Sequence, residues 1–534
     1  MTRLLCAASA AALMASTVSA AAEYRLTILH INDLHSRLEP ISRFDGTCGA
    51  EDDAAGECFG GVARVKTFLD QRRAALEAEG RNVLVLDAGD QFQGSLMYST
   101  YKGSAAAEFM NMIGFDAMAV GNHEFDDGPE KLAAFIDAVD VPVVSGNLDV
   151  SAEPLLAGKV GGPLVLEVGG ERIGIVSALA TDTVETSSPG PNVIFADEVE
   201  SVAAQAAALE ADGVTKIIAL THVGLPMDIR IAQGAAGVDA VVGGHSHTYL
   251  SSSDDGAAGA YPVMADGPGG VQAPVVQAYA YSKYVGELEL VFDDAGVVTA
   301  ASGDTHLLDA SVTPDAAVAA RVAALAGPIE ALKAQVVGES AAPIDGAREN
   351  CRAGECQMGN LVAEAMLDRV ADQGVTLAIQ NGGGLRASID AGPVTMGEVL
   401  TVLPFQNTLA TFRLSGAGVV AALENGVGRV EDGAGRFPQV AGLRYVWDPA
   451  LPAGGRIVSV EVEGPDGWTA IDPEAIYGVA TNNYMRGGGD GYDVFAEQGM
   501  DAYDYGPGLE QVVADYIAAG GAYAPFLDGR ISTP

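Results

Sequence analysis

Short apolar runs alternate with longer stretches of helical spacing from residue 24 to about residue 309. The runs at 25–31, 82–86, 117–120, 173–178, 216–220, 238–242 and 286–292 read as strands. The stretches at 62–79 and 129–139 read as helices between them. This alternation predicts an α/β domain. Segment 251–273 is rich in Ser, Asp, Gly and Pro and reads as a surface loop. Segment 313–337 is Ala-rich, opens on Thr313-Pro314 and reads as a helical connector, with Pro328 inside it. A second α/β unit follows over 338–534, with strands expected at 376–379, 408–414 and 457–462. The expected organisation is therefore a leader over 1–22, a first domain over 23–312, the connector over 313–337 and a second domain over 338–534.

The leader has the form of an export signal. Arg3 supplies one charge, 4–14 is a short apolar run, and Val18-Ser19-Ala20 is a small-x-small cleavage site. No stretch reaches the roughly 18 uninterrupted apolar residues of a membrane span, and the last residues form no hydrophobic tail. The expected location is periplasmic or extracellular, without stable membrane insertion. Cys6 falls inside the leader, which leaves Cys48, Cys58, Cys351 and Cys356. Four cysteines allow three connectivities, and spacing favours the local pairs Cys48–Cys58 and Cys351–Cys356. Each would stabilise its short loop by about 2–3 kcal/mol on the chain-entropy model.

At 534 residues the chain is long enough for two to four domains, and 49% hydrophobic against 19% charged residues excludes wholesale disorder. The net charge of −42 matters more. Such a surface repels phosphate backbones and anionic headgroups, so polymeric nucleic acid and acidic membranes are poor partners. An anionic substrate would have to be met by local metal ions or clustered Arg.

All seven His precede residue 307, and five fall in motifs that follow directly on apolar runs. These are Asn32-Asp33-Leu34-His35, Gly121-Asn122-His123-Glu124, Thr221-His222 and Gly243-Gly244-His245-Ser246-His247. A fifth run ends in Asp87-Ala88-Gly89-Asp90. In α/β sheets, ligands collect beyond the carboxyl ends of strands. Asp-x-His lets a carboxylate and an imidazole point the same way, and that donor mix suits Zn, Mn or Fe. Gly243 and Gly244 permit close backbone approach. The set is too large for one tetrahedral ion and fits two ions sharing a carboxylate, an arrangement that activates water against a phosphoryl group. His30 reads as strand-buried, His306 as structural, and Asp87 as a supporting or turn-forming residue.

These motifs resemble the metallophosphoesterase signature, and nearly the whole chain after the leader resembles the exported 5′-nucleotidases. The likeness continues through Cys351-Arg352, Glu355-Cys356, Met358-Gly359-Asn360-Leu361, Asn381-Gly382-Gly383-Gly384-Leu385-Arg386, Leu403-Pro404-Phe405, Asn483-Tyr484 and Gly487-Gly488-Gly489-Asp490-Gly491. The resemblance implies a four-layer α/β/β/α metallophosphoesterase domain followed by an α/β nucleotide-binding domain. It implies two divalent ions, zinc first, with manganese, cobalt or iron as alternatives. One ion would be held by Asp33, His35, Asp90 and His247. The other would be held by Asp90, Asn122, His222 and His245. His123 and Asp126 match the catalytic dyad. Arg352 and Arg386 match phosphate ligands, Phe405 and Tyr484 the base sandwich, Asp490 a ribose acceptor and Asn381 a base contact.

The activity so implied is hydrolysis of nucleoside 5′-monophosphates to nucleoside and phosphate. Alternatives on the same site are hydrolysis of UDP-sugars or nucleoside di- and triphosphates, and 2′,3′-cyclic-nucleotide phosphodiesterase with 3′-nucleotidase activity. A catalytically silent nucleotide- or zinc-binding protein is the alternative from another class. It would be expected to have lost at least one of Asp33, His35, Asp90, Asn122, His222 or His245, and all are present. No protein partner is implied.

Overall fold

The computed structural model describes residues 23–43, 45, 48–405, 407–464 and 467–534, so the expected leader lies outside the described residues. Tyr24–Ile31 shows how the first unit is built. Its Leu26 and Ile28 point into one apolar core, while Leu29 and Ile31 point into another. That is the period of two of a strand covered on both faces. Asn82–Asp87 repeats it, with Leu84 and Leu86 on one side and Val85 on the other. Lys216–His222 does the same with Ile218 and Leu220 against Ile217 and Ala219. The shared inner core glues two sheets face to face, and the outer cores receive helices.

Each sheet has six strands. The first runs Val298–Leu307, Tyr284–Phe292, Tyr24–Ile31, Asn82–Asp87, Ala117–Ala119, Val143–Val144. The second runs Val263–Asp266, Gln272–Val276, Ala240–Val242, Lys216–His222, Glu171–Leu179, Leu164–Val168. With helices such as Val62–Ala78 and Ser104–Ile113 outside the first sheet and Glu198–Ala211 and Leu225–Gly234 outside the second, this is an α/β/β/α sandwich.

Register positions the chemistry. Parallel pairing sets Ile31 beside Asp87, Asp87 beside Met118, Leu179 beside His222 and Leu220 beside Val242. The carboxyl ends of these strands are therefore level, and the loops that leave them meet at one end of the sandwich.

One part of the expected layout changes. Segment 251–273 is not all loop, because Val263–Asp266 forms an antiparallel edge strand on Gln272–Val276. Its polar composition follows from its edge position, where only Ala265 is buried. The connector forms the helix Ala316–Lys333, capped by Asp315, whose carboxylate accepts from the Ala317 and Val318 N–H groups. Val318, Val322, Leu325 and Ile329 bury against the first unit, so this helix is docked onto it. The chain then enters the strand Val336–Ser340, paired with Gly392–Thr395.

The second unit holds a five-stranded sheet in the order Pro438–Ala441, Leu377–Asn381, Ile476–Asn482, Leu409–Ser415, Met500–Tyr503. Gln357–Arg369 and Leu509–Ala519 cover one face, and Gly416–Val427 covers the other. A four-stranded sheet, ordered Gly467–Ala470, Ile457–Gly464, Leu443–Trp447, Ile531–Ser532, completes it. Both local disulfides, Cys48–Cys58 and Cys351–Cys356, are formed. Among the described residues no helix is long and apolar enough to cross a membrane.

Candidate functional site

At the level strand ends, Asp33, His35, Asp90, Asn122, His222, His245 and His247 converge. Asp90 Oδ2 lies 3.0 Å from His222 Nε2 and 3.8 Å from His35 Nε2. Asp33 Oδ1 lies 3.2 Å from His247 Nε2, and Asn122 Oδ1 lies 2.8 Å from His245 Nδ1. Three groups have donor atoms close enough to share an ion: Asp33 with His35 and His247, Asp90 with His222 and His245, and His35 with Asp90 and His123. Asp90 belongs to two of them, and so does His35.

The backbone is bent to achieve this. Asp33, His35, Asp90, His245 and His247 all have φ between 49° and 76°, a conformation unfavourable for residues with a Cβ. Glycine supplies the remaining room: a Cβ on Gly121 would overlap Asp90 Oδ1, and one on Gly244 would come within 3.0 Å of His222 Nδ1 and Asp33 Oδ2.

The donor set fits divalent metal. His35 Nδ1 faces the Phe92 carbonyl at 3.1 Å, and His222 Nδ1 faces the Ala88 carbonyl at 2.7 Å. A carbonyl only accepts, so both Nδ1 atoms carry a proton and both rings turn Nε2 to the cluster. Burial disfavours a second proton on His222, but Asp90 and then Asp33 raise it to about 10, so a metal binding there would displace that proton. His35 Nε2 then faces His247 Nε2 at 2.9 Å. Burial pushes His245 down to about 3 and His35 well below its ordinary value, which keeps these imidazoles neutral, the metal-binding form. Burial opposes charge on Asp33 and Asp90 too. His247 and His222 outweigh it at Asp33, and His222 and His123 at Asp90, so both stay below the usual carboxylate range.

His123 opens a single 3₁₀ turn, His123–Phe125, and its Nδ1 lies 2.7 Å from Asp126 Oδ2. Burial disfavours its cation, but Asp126 and then Asp90 raise it to about 9. Its Nε2 is buried without a hydrogen-bond partner. Gln93 Nε2 and Ser187 Oγ donate to Asp126 at 3.0 and 2.8 Å, fixing the carboxylate behind the ring. Neither was legible in the motifs. Glu124 was visible in its motif but had no role. Its buried carboxylate accepts from the N–H groups of Asp90, Gln91, Phe92 and Gly121, which ties the Asp90 loop to the Asn122-His123 loop.

The second set of expected residues gathers elsewhere. Arg352, Asn381, Arg386, Phe405, Tyr484 and Asp490 line one pocket of about 450 Å³, with Arg43 and Asp45 from the first unit. The Arg386 guanidinium lies over the Phe405 ring at 5.4 Å. Tyr484 is 47% exposed, and its hydroxyl reaches Asp490 Oδ1 at 3.2 Å. Asn381 Nδ2 donates to Asp490 Oδ2 at 2.7 Å. The Cys351–Cys356 bridge brackets Arg352, which is nearly buried and donates to the Gly433 carbonyl. No residue of the His/Asp cluster lines this pocket. Tyr281 and Tyr505, which no motif announced, pack against the cluster instead.

The outlying readings hold. His30 is buried and lies 2.8 Å from the Tyr261 hydroxyl, half-exposed His306 pairs with Glu287, and Asp87 accepts from the Gly89 N–H and from Gln91.

Residues 26–249 match the calcineurin-like phosphoesterase family, and residues 336–497 match the C-terminal domain of 5′-nucleotidases. The chain is 38% identical to the snake venom 5′-nucleotidase of Naja atra over 533 residues, covering 95% of this chain and 98% of that protein. Among solved structures, a 5′-nucleotidase precursor from Thermus thermophilus is 42% identical with a TM-score of 0.61, covering 96% of this chain and 99% of the other. The NAD nucleotidase of Haemophilus influenzae is 29% identical with a TM-score of 0.77, at the same coverage.

Proposed function

The chain belongs to the 5′-nucleotidase family, and from that premise we propose how its residues divide the work. It is a metal-dependent phosphoester hydrolase, and its reaction is the hydrolysis of nucleotide monophosphates. The family uses divalent metal, and the His/Asp cluster is suited to it. We assign two ions, zinc in preference to manganese, cobalt or iron. One would be held by Asp33, His35, Asp90 and His247, the other by Asp90, Asn122, His222 and His245. When bound, the ions supply a nucleophile at neutral pH and positive charge beside the phosphoryl oxygens.

His123, held as a cation by Asp126, directs its free Nε2 at charge developing on the phosphoryl group. Arg352 and Arg386 hold phosphate through planar forks, which offsets the repulsion of a −42 chain. Phe405 and Tyr484 stack the base, and Asp490 accepts from the ribose. Asn381 contacts the base, with one of its two amide N–H groups donated to Asp490. The two disulfides support export to an oxidising compartment, the periplasm or the cell exterior.

The observation that carries this reading is the coexistence of a complete His/Asp cluster with an Arg- and aromatic-lined pocket in one chain. A panel of AMP, UMP, UDP-glucose, ATP and a 2′,3′-cyclic nucleotide, read by phosphate release, tests it. Monophosphates should give the highest kcat/KM. Preference for UDP-glucose or the cyclic nucleotide would overturn the assignment.

A further inference from the structure

The His/Asp cluster is roofed by a segment of the second unit. Met500–Tyr503 pairs with Leu409–Ser415 at the sheet edge. Just beyond it, Asp504 is held by Arg486 through bonds of 2.8 and 3.0 Å, and the Gly506 N–H donates to the Leu409 carbonyl at 3.0 Å. Between these anchors Tyr505 projects onto the first unit. Its ring centroid lies 5.0 Å from His247, 5.6 Å from His245 and 6.1 Å from His123. The Tyr503 hydroxyl donates to the Tyr505 carbonyl at 2.9 Å, which stiffens the segment from behind.

The pocket of Phe405 and Tyr484 is on the same body. Tyr484 follows the strand Ile476–Asn482, and Tyr505 follows Met500–Tyr503. Leu409–Ser415 is hydrogen-bonded to both. Between pocket and cluster stands a wall: Asp45 lines the pocket and bonds Tyr279, the Tyr279 and Tyr281 rings are 6.1 Å apart, and Tyr281 lies 5.3 Å from His247. A nucleotide seated in the pocket therefore cannot present its phosphate to the cluster while the units stay as they are. Any movement that unites pocket and cluster carries Tyr505 off its seat, because one sheet bears both.

We infer that Tyr505 is a specificity-determining plug, which closes the cluster to phosphoesters that do not engage the Phe405–Tyr484 pocket. The inference rests on the proposed nucleotide reading of that pocket. A nucleotide gains purchase on the second unit and spends that binding on displacing the plug. A small ester has no such handle and meets only the minority of molecules whose cluster is open. If the plug is seated in about nine molecules of ten, it lowers apparent access by about tenfold.

The test uses full-length, metal-loaded protein with Tyr505→Ala and Tyr505→Leu; the second keeps apolar bulk at the sheet edge should the first fail to fold. The rate of metal extraction by excess chelator and kcat/KM for p-nitrophenyl phosphate and AMP are compared. Extraction should accelerate, and kcat/KM for the generic ester should rise by up to about tenfold, with a smaller change for AMP. Unchanged extraction and generic-ester rates in a folded variant would overturn the plug. So would a fall in both substrates, which would make Tyr505 a binding residue. Failure of the nucleotide reading is visible separately, as wild-type protein that does not turn over AMP, and the chelator arm then still tests whether Tyr505 closes the cluster.

Discussion

Removing both aromatic faces of the pocket separates nucleotide recognition from phosphoester chemistry. Phe405 has one face under Arg386, while Tyr484 is 47% exposed at the pocket edge. A stacked base gains about 1–3 kcal/mol per aromatic face. At the lower bound, Phe405→Ala with Tyr484→Ala should reduce kcat/KM for AMP by about thirtyfold relative to p-nitrophenyl phosphate, since each 1.4 kcal/mol is a factor of ten. The structure supplies the controls. Phe405→Ala also strips the platform from Arg386, so that single variant should weaken phosphate binding as well as stacking. Tyr484→Phe keeps the ring and loses the hydroxyl's two bonds with Asp490, to Oδ1 at 3.2 Å and from the backbone N–H at 3.1 Å, so it should retain most of the selectivity. The assay is phosphate or phenolate release under matched metal loading. If the double variant loses both substrates by one factor, the aromatics merely pack the unit. If neither rate moves, the base is bound elsewhere.

His123→Ala should lower kcat by about 10²–10³-fold with little change in KM and unchanged metal content, because it acts on transition-state charge; unchanged kcat in metallated protein refutes that role. Asp90→Asn should weaken both ions in metal analysis, whereas His247→Ala should weaken mainly one. Loss of a single ion from Asp90→Asn would place the shared carboxylate elsewhere. His30, pushed by burial to about 3 in the fold, has an unfolded value near 6.5. Between those values the unfolded chain binds the extra proton, so stability falls as pH drops below about 6.5, by about 2 kcal/mol at pH 5. Urea unfolding at pH 5 and 8 should show a loss of stability about 2 kcal/mol smaller in His30→Gln, which retains a polar partner for Tyr261, than in the wild type; an equal loss in both would refute the assignment to His30.

Legibility in the sequence followed from how local each feature is. The cluster could be read because Asp33, His35, Asp90, Asn122, His222, His245 and His247 each follow an apolar strand within a few residues, and parallel strands of one sheet end level. The sandwich itself was legible only by resemblance. Alternation shows that Leu26 and Leu29 face opposite ways, but not that a second sheet receives Leu26. Edge strand Val263–Asp266 hid behind a turn-like composition, since an edge needs few apolar residues. Nothing local marks the left-handed backbone of Asp33 or His247, because a residue with a Cβ is held there only by its surroundings.

Tyr505 sets the limit of such reading. It lies more than two hundred residues beyond His247, in a stretch with no metal-ligating pattern, and its place over the cluster depends on how the two units pack. The same holds in weaker form for Gln93 and Ser187, which meet at Asp126 from separate loops. Residues that touch the reacting groups are constrained in chemical type, so their motifs are short and recognisable. Residues that orient or cover those groups need only reach the right point in space, and Gln, Ser or Tyr can do so from many positions. Cluster chemistry is therefore written in the first half of the chain as a pattern, whereas access to it is decided by a second-half side chain that only the folded arrangement of two sheets brings into place.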